Sequence, residues 1–120
     1  MLAFAGPACA QLISAGKSEG DEAAHIQRIA NNKKRHYACA VSTATRDAMA
    51  SRKASTDAVA AGALRGCREF ELEYRELLRS GVPMTDGHVA AASPKIVAQL
   101  IEMRRRELRP SILGAIKEVR

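Results

Sequence analysis

Small and apolar residues recur along the middle of the chain at Ile26, Ala30, Tyr37, Ala40, Ala44, Ala48, Val59, Ala63, Cys67, Phe70, Tyr74 and Leu77. With the polar positions Lys33, Arg52 and Ser55 on the same line, the mean step is about 3.6 residues, the period of a helix and not of a strand. Between Asp21 and Ser80 there is no proline, and the only glycines are Gly62 and Gly66. The pattern therefore predicts one long helix over 21–80, on the order of 90 Å at 1.5 Å per residue. The alternative is a helical hairpin broken at Ser51–Thr56, with Ser55, Thr56 or Asp57 capping the second arm. The absence of Gly or Pro at that break favours the unbroken helix.

The punctuation beyond it is plainer. Ser80-Gly81-Val82-Pro83 stops a helix, with Gly just past the last turn and Pro two residues further on. Ser93-Pro94 starts another, an N-cap followed by proline at the first helical position. Pro110 is expected to end that helix after Leu108, and Ser111 to open a last one. The class is thus all-α: a long helix or helical hairpin, two short C-terminal helices, and a short N-terminal helix. Three stretches organise the chain: 1–16, 21–80 and 93–120.

Residue size then suggests what the helices pack against. Ala58, Gly62 and Gly66 stand four apart in a small-xxx-small row that admits a close helix contact, and Phe70 and Leu77 extend the packing line. Val97, Leu100, Ile101, Leu108, Ile112 and Ile116 are the densest branched-aliphatic set, the expected surface for docking a partner. Although 47% of residues are hydrophobic, many are alanines, there is no Trp, and only Phe4, Tyr37, Phe70 and Tyr74 carry large rings. Alanine removes little area from water at roughly 25 cal/mol per Å². Self-association or a protein complex is the expected remedy.

The formal charge of +6 suits an acidic protein, an anionic lipid or nucleic acid without choosing among them. It pools in two places, Arg28 with Lys33-Lys34-Arg35, and Arg104-Arg105-Arg106, which makes these seven residues candidate nucleic-acid contacts. The order Met84–Ala90, Ser93–Val97, then arginines echoes an excisionase-type helix-turn-helix, but the residues its first helix and turn need are missing. His25, His36 and His88 form no metal-ligand spacing, and arginines interleave Glu69, Glu71, Glu73 and Glu76. No nucleophile elbow, phosphate loop or dinucleotide fingerprint occurs. No catalytic residue, cofactor, metal or small-molecule substrate is implied. Cys9, Cys39 and Cys67 have no metal-site spacing and read as three thiols in a reducing compartment. Cys39 and Cys67 are symmetric about Lys53 and meet only if the chain turns back there. Residues 1–16 are uncharged, too short to span a bilayer, and without the basic start of a secretory signal. They are expected to cap the main body or to touch a membrane surface.

An uncharged small-residue start, a long Ala/Gln/Arg/Ser helix and a short helical end resemble, in layout and composition, the internal virion (DNA-ejection) proteins of short-tailed phages. The resemblance covers mainly 1–80. It implies a tube-forming component, cytoplasmic or virion-associated, with 1–16 facing membrane or a partner ring and Lys33 and Arg46 facing DNA. The expectation is a non-enzymatic, oligomeric structural or assembly protein, a component of a virion or of a secretion tube. The alternatives are a small basic nucleic-acid binder and a helical adaptor docking one protein partner.

Overall fold

A computed structural model describes residues 19–120, and the expectations for 1–16 and for Cys9 lie outside those residues. Helix α1 spans Glu19–Ala50, α2 Thr56–Gly66, α3 Arg68–Ser80 and α4 Pro94–Val119, and two-residue strands β1 (Val82–Pro83) and β2 (Val89–Ala90) pair between α3 and α4. The chain is mainly α-helical. It does not form an unbroken helix over 21–80: α1 runs out, α2 and α3 return beside it, and α4 runs out again parallel to α1. The result is a three-arm bundle with principal extents of 64 × 31 × 21 Å.

The reversal at Ser51–Ser55 needs neither Gly nor Pro because its polar groups are met by other means. The Ala54 amide donates to Ser51 O at 3.0 Å. The Ser55 hydroxyl accepts from the Ala58 amide at 3.1 Å and caps α2. From the far end of the chain, Arg120 donates Nη1 to Ala54 O and Nη2 to Ser51 O, at 2.7 and 2.8 Å. Carbonyls of the turn are thus gripped by a charged fork, which adds a second donor at Ser51 O. That partner is invisible to local sequence rules.

The two short C-terminal helices are one. Ser93 caps α4 by accepting from the Ile96 amide at 3.2 Å, and Pro110 lies inside the helix. Proline removes one backbone bond and crowds the preceding turn, at about 3 kcal/mol. Here it sits on the exposed side, where water can meet the freed carbonyl. On the opposite side Leu108, Ile112 and Ile116, each at most 3% exposed, pack on the alanines of the hairpin and carry the helix past the proline.

Two apolar clusters make the core. Near the reversal, Ala40, Ala44 and Ala48 of α1 meet Val59, Ala60 and Ala63 of α2 and the aliphatic residues of α4. At the other end Tyr74, Leu78, Val97 and Ile101 pack with Ile29, Val82 and Leu100. Two sequence expectations are corrected here. The close row is not Ala58, Gly62 and Gly66: Ala58 and Gly66 are exposed, and Gly62, Phe70 and Leu77 are only half-buried. The buried line runs one position over, through Val59, Ala63, Cys67, Tyr74 and Leu78. Likewise Val97, Ile101, Leu108, Ile112 and Ile116 are buried and Leu100 half-buried inside this chain, so the aliphatic set does not form an outward docking surface. Its area is used to bury an alanine-lined hairpin too thin to stand alone.

Candidate interaction surface

Between the two clusters lies a buried polar layer, and it decides which charges reach the surface. Asn32 and His36 of α1 and Arg104 of α4 are at most 3% exposed. Arg104 Nη1 donates a short hydrogen bond to Asn32 Oδ1 and lies 3.5 Å from His36 Nδ1. Its guanidinium carbon stands 3.4 Å from the centre of the Tyr74 ring, a cation–π contact strengthened by desolvation. Asn32 Nδ2 donates in turn to Phe70 O at 3.0 Å and to Glu73 Oε1 at 2.6 Å. The His36 ring stacks on Phe70, with centroids 6.1 Å apart.

Burial, and then the positive charge of Arg104, lower the His36 pKa, while Glu71 pulls it partly back. His36 is thus held neutral, with Nδ1 presented to the guanidinium. Burial also lowers the Arg104 pKa and raises that of Tyr74. Every buried side-chain nitrogen and oxygen among the described residues has a partner. The layer is a closed lock between the arms.

Two further fasteners flank it. Cys39 and Cys67 form a disulfide, with Cα atoms 6.0 Å apart. Hairpin folding brings the two together, and the expectation of three free thiols is overturned for this pair. At the far end His25 Nε2 donates to Gly81 O at 2.8 Å. Glu22 Oε2 accepts from the Val89 amide at 2.7 Å, so α1 also holds the β1–β2 hairpin. That hairpin and the helix after it replace the outline of a helix-turn-helix. Its turn is closed by the Gly87 amide on Met84 O at 3.0 Å, with Gly87 at φ 87°.

The seven candidate nucleic-acid contacts are dispersed. Arg104 is buried in the lock and out of reach of a phosphate, because the helix turns the first arginine of its triplet inward. Arg105 grips Glu71 through Nε at 2.6 Å and Nη2 at 2.7 Å. That bond is the main reason the Glu71 pKa is lowered, against burial. Arg35 bridges Glu73 at 3.0 Å, Lys33 reaches Glu107 at 3.5 Å, and Arg106 reaches Glu102 at 3.8 Å. Of the seven, Arg28 and Lys34 make no ion pair with a described carboxylate, and they border a hollow between α1 and α3.

The larger open cationic face was not in that set. Ala61, Leu64, Arg65, Arg68, Leu72 and Arg75 of the returning arm border a groove of about 510 Å³ whose other bank carries Arg105. The groove continues past Arg75 and Arg79 to Ala92, Pro94, Val97 and Ala98. Comparison with protein-family models, with curated proteins and with solved structures finds no match. The surface therefore stands on its own chemistry. Arg65, Arg68 and Arg75 make no ion pair with a described carboxylate, and Glu71, the one carboxylate lining this part of the groove, is taken by Arg105. The signal in the sequence was the row Arg65, Arg68, Leu72, Arg75, Arg79, spaced by three and four across the end of α2 and along α3. The adjacent triplets are the denser basic runs in the sequence, but consecutive residues on a helix point in different directions.

Among the described residues no helix is long and apolar enough to cross a membrane, and no group of three or more His, Cys, Asp or Glu could hold a metal ion.

Proposed function

We propose that the protein is a non-enzymatic helical adaptor that docks one anionic protein partner along the groove between the α2–α3 arm and α4. One observation carries this reading: Arg65, Arg68 and Arg75 line a single open groove without a described carboxylate in ion-pair reach, whereas Lys33, Arg35, Arg105 and Arg106 of the basic clusters are each bridged. An unneutralised cationic row has the highest free energy to gain from an anionic ligand, and it steers encounter. The buried polar groups support the non-enzymatic part, since Asn32, His36, Tyr74 and Arg104 are engaged with one another and enclosed. The disulfide supports work in a compartment where such bonds persist, in place of the reducing one expected.

The self-assembling and tube-forming readings drew on a continuous helix over 21–80 and on outward small and aliphatic rows. The aliphatic row is packed inside one chain and lends assembly no support, while the small row Ala58, Gly62 and Gly66 stays exposed or half-buried at the surface. The nucleic-acid reading retains Arg28 and Lys34 but has lost its two clusters.

Binding to poly-glutamate tests the proposal. The variant with Arg65→Gln, Arg68→Gln and Arg75→Gln is expected to bind at least ten times more weakly than the parent at about 50 mM salt, with a shallower salt dependence. Arg28→Gln with Lys34→Gln is expected to change affinity less than threefold. Equal losses in the two variants would show that net charge, and not this groove, governs binding.

A further inference from the structure

We infer that the ligand of this groove is an acidic amphipathic helix of a partner protein, seated as a fourth arm beside α2–α3 and α4. The inference rests on the groove being the docking site. It starts from the mixture of side chains. Leu72, 45% exposed, lies between Arg68 and Arg75, and the half-buried Leu64 and exposed Ala61 lie about two and three turns upstream. Further along, past Arg75, Pro94, Ala98, the half-buried Ala92 and the edge of Val97 border the adjoining hollow beside Arg79. The floor is apolar and the rims are guanidinium. A helix with leucine-like residues on one stripe and carboxylates on both flanks matches floor and rims together, in the helix-in-groove mode.

Length and architecture agree. From Ala61 to Arg79 the arm rises on the order of 27 Å at 1.5 Å per residue, the length of a partner helix of about 18 residues. The arginines recur at helical steps, so one straight helix can offer a carboxylate to each at its own i, i+3 and i+4 positions. Three packed arms with an open slot between two of them form a four-helix arrangement lacking one member, and a fourth helix would bury the apolar floor. Guanidinium forks also suit carboxylates by bidentate geometry. Arg105 already shows that geometry on the bank of the groove, holding Glu71 at 2.6 and 2.7 Å.

Nucleic acid fits this face less well. Single strands are held by bases stacked on aromatic rings. Among the described residues the exposed ring is Tyr37 on α1, away from this groove, and Phe70 is half-buried against His36. A phosphate backbone laid along the row would also cover Leu64 and Leu72 without an apolar surface to meet them.

Selection from a displayed library of 18-residue peptides, performed on the whole chain with its disulfide intact, tests the inference. Enriched peptides are expected to carry Asp or Glu flanking apolar residues at i, i+3, i+4 and i+7. Their helicity should rise on binding. Affinity should fall at least tenfold for Leu72→Asn, and at least tenfold for Arg68→Gln with Arg75→Gln. Circular dichroism of the variants checks that the bundle is intact, since all three positions are on the surface. Enriched peptides without that periodicity, or peptides that bind Leu72→Asn as well as the parent, would overturn the helix. Tighter binding of a 20-base-pair duplex than of any peptide, lost with Arg68 and Arg75 but indifferent to Leu72→Asn, would overturn it in favour of nucleic acid. Acidic peptides that ignore both the arginines and Leu72 would overturn the groove itself, and with it the adaptor reading.

Discussion

Asn32 is the hinge of the buried layer because it faces two ways. Its oxygen takes a hydrogen bond from Arg104, and its nitrogen donates to Phe70 O and Glu73. Removing it leaves a buried guanidinium short of an acceptor, and hydrogen bonds to charged groups contribute about 1.5–3 kcal/mol. Asn32→Leu should therefore lower the unfolding free energy by about 2–3 kcal/mol in a denaturant titration. Adding Arg104→Met, which removes the stranded charge and keeps an unbranched apolar chain, should recover part of the loss. Additive losses in the double variant would mean that the two residues are not coupled.

His36 makes the same layer sensitive to pH. Its folded pKa is lowered from the ordinary 6.5, by burial first and by Arg104 second. The unfolded chain therefore binds a proton that the folded one resists. The resulting stability is complete above about pH 6.5 and is lost as pH falls through the lower folded value. Stability measured from pH 8 to pH 5 should decline below 6.5, and His36→Gln should flatten the decline. An unchanged slope in that variant would place the effect elsewhere.

At the scale of elements, α4 and the hairpin stabilise one another across positions that local rules treat as breaks. Pro110 interrupts α4 on its exposed side while Leu108, Ile112 and Ile116 stay packed. Pro110→Ala restores a backbone bond without touching that packing, and should raise stability by roughly 1–3 kcal/mol, the intrinsic cost of an internal proline less its unfolded-state benefit. A destabilised Pro110→Ala would show that the bundle needs the bend proline imposes. The hairpin is held by Cys39–Cys67, which closes a loop of sequence separation 28. A loop of that size contributes about 3.5 kcal/mol in the chain-entropy account. Thermal unfolding of Cys39→Ser, or of the parent under reductant, should show a loss of about 2–4 kcal/mol. No change on reduction would remove the disulfide from the account.

For the whole molecule, helical class, the α3 stop at Gly81 and the α4 start at Ser93-Pro94 were legible, because capping and turn chemistry act over three or four residues. The phase of α1 was not. Its inward positions include His25, Asn32 and His36, polar residues that hide a buried face from a hydrophobicity count, while the apolar Ala30 and Tyr37 point outward. The reversal at Ser51–Ser55 was legible only as the alternative to an unbroken helix, because its key partner, Arg120, is more than sixty residues away. The open groove was missed because it depends on which arginines a neighbouring arm neutralises, and that is decided only by folding.

The central claim is that the described residues bury their aliphatic packing surface by folding back, leaving a discrete bundle with an open cationic groove along α2–α3. Light scattering combined with small-angle X-ray scattering on the purified chain tests it most directly. The account predicts a monomer of 12.9 kDa with a longest dimension near 64 Å. A ring or filament, or a rod on the order of 90 Å as an unbroken helix over 21–80 would give, would contradict it.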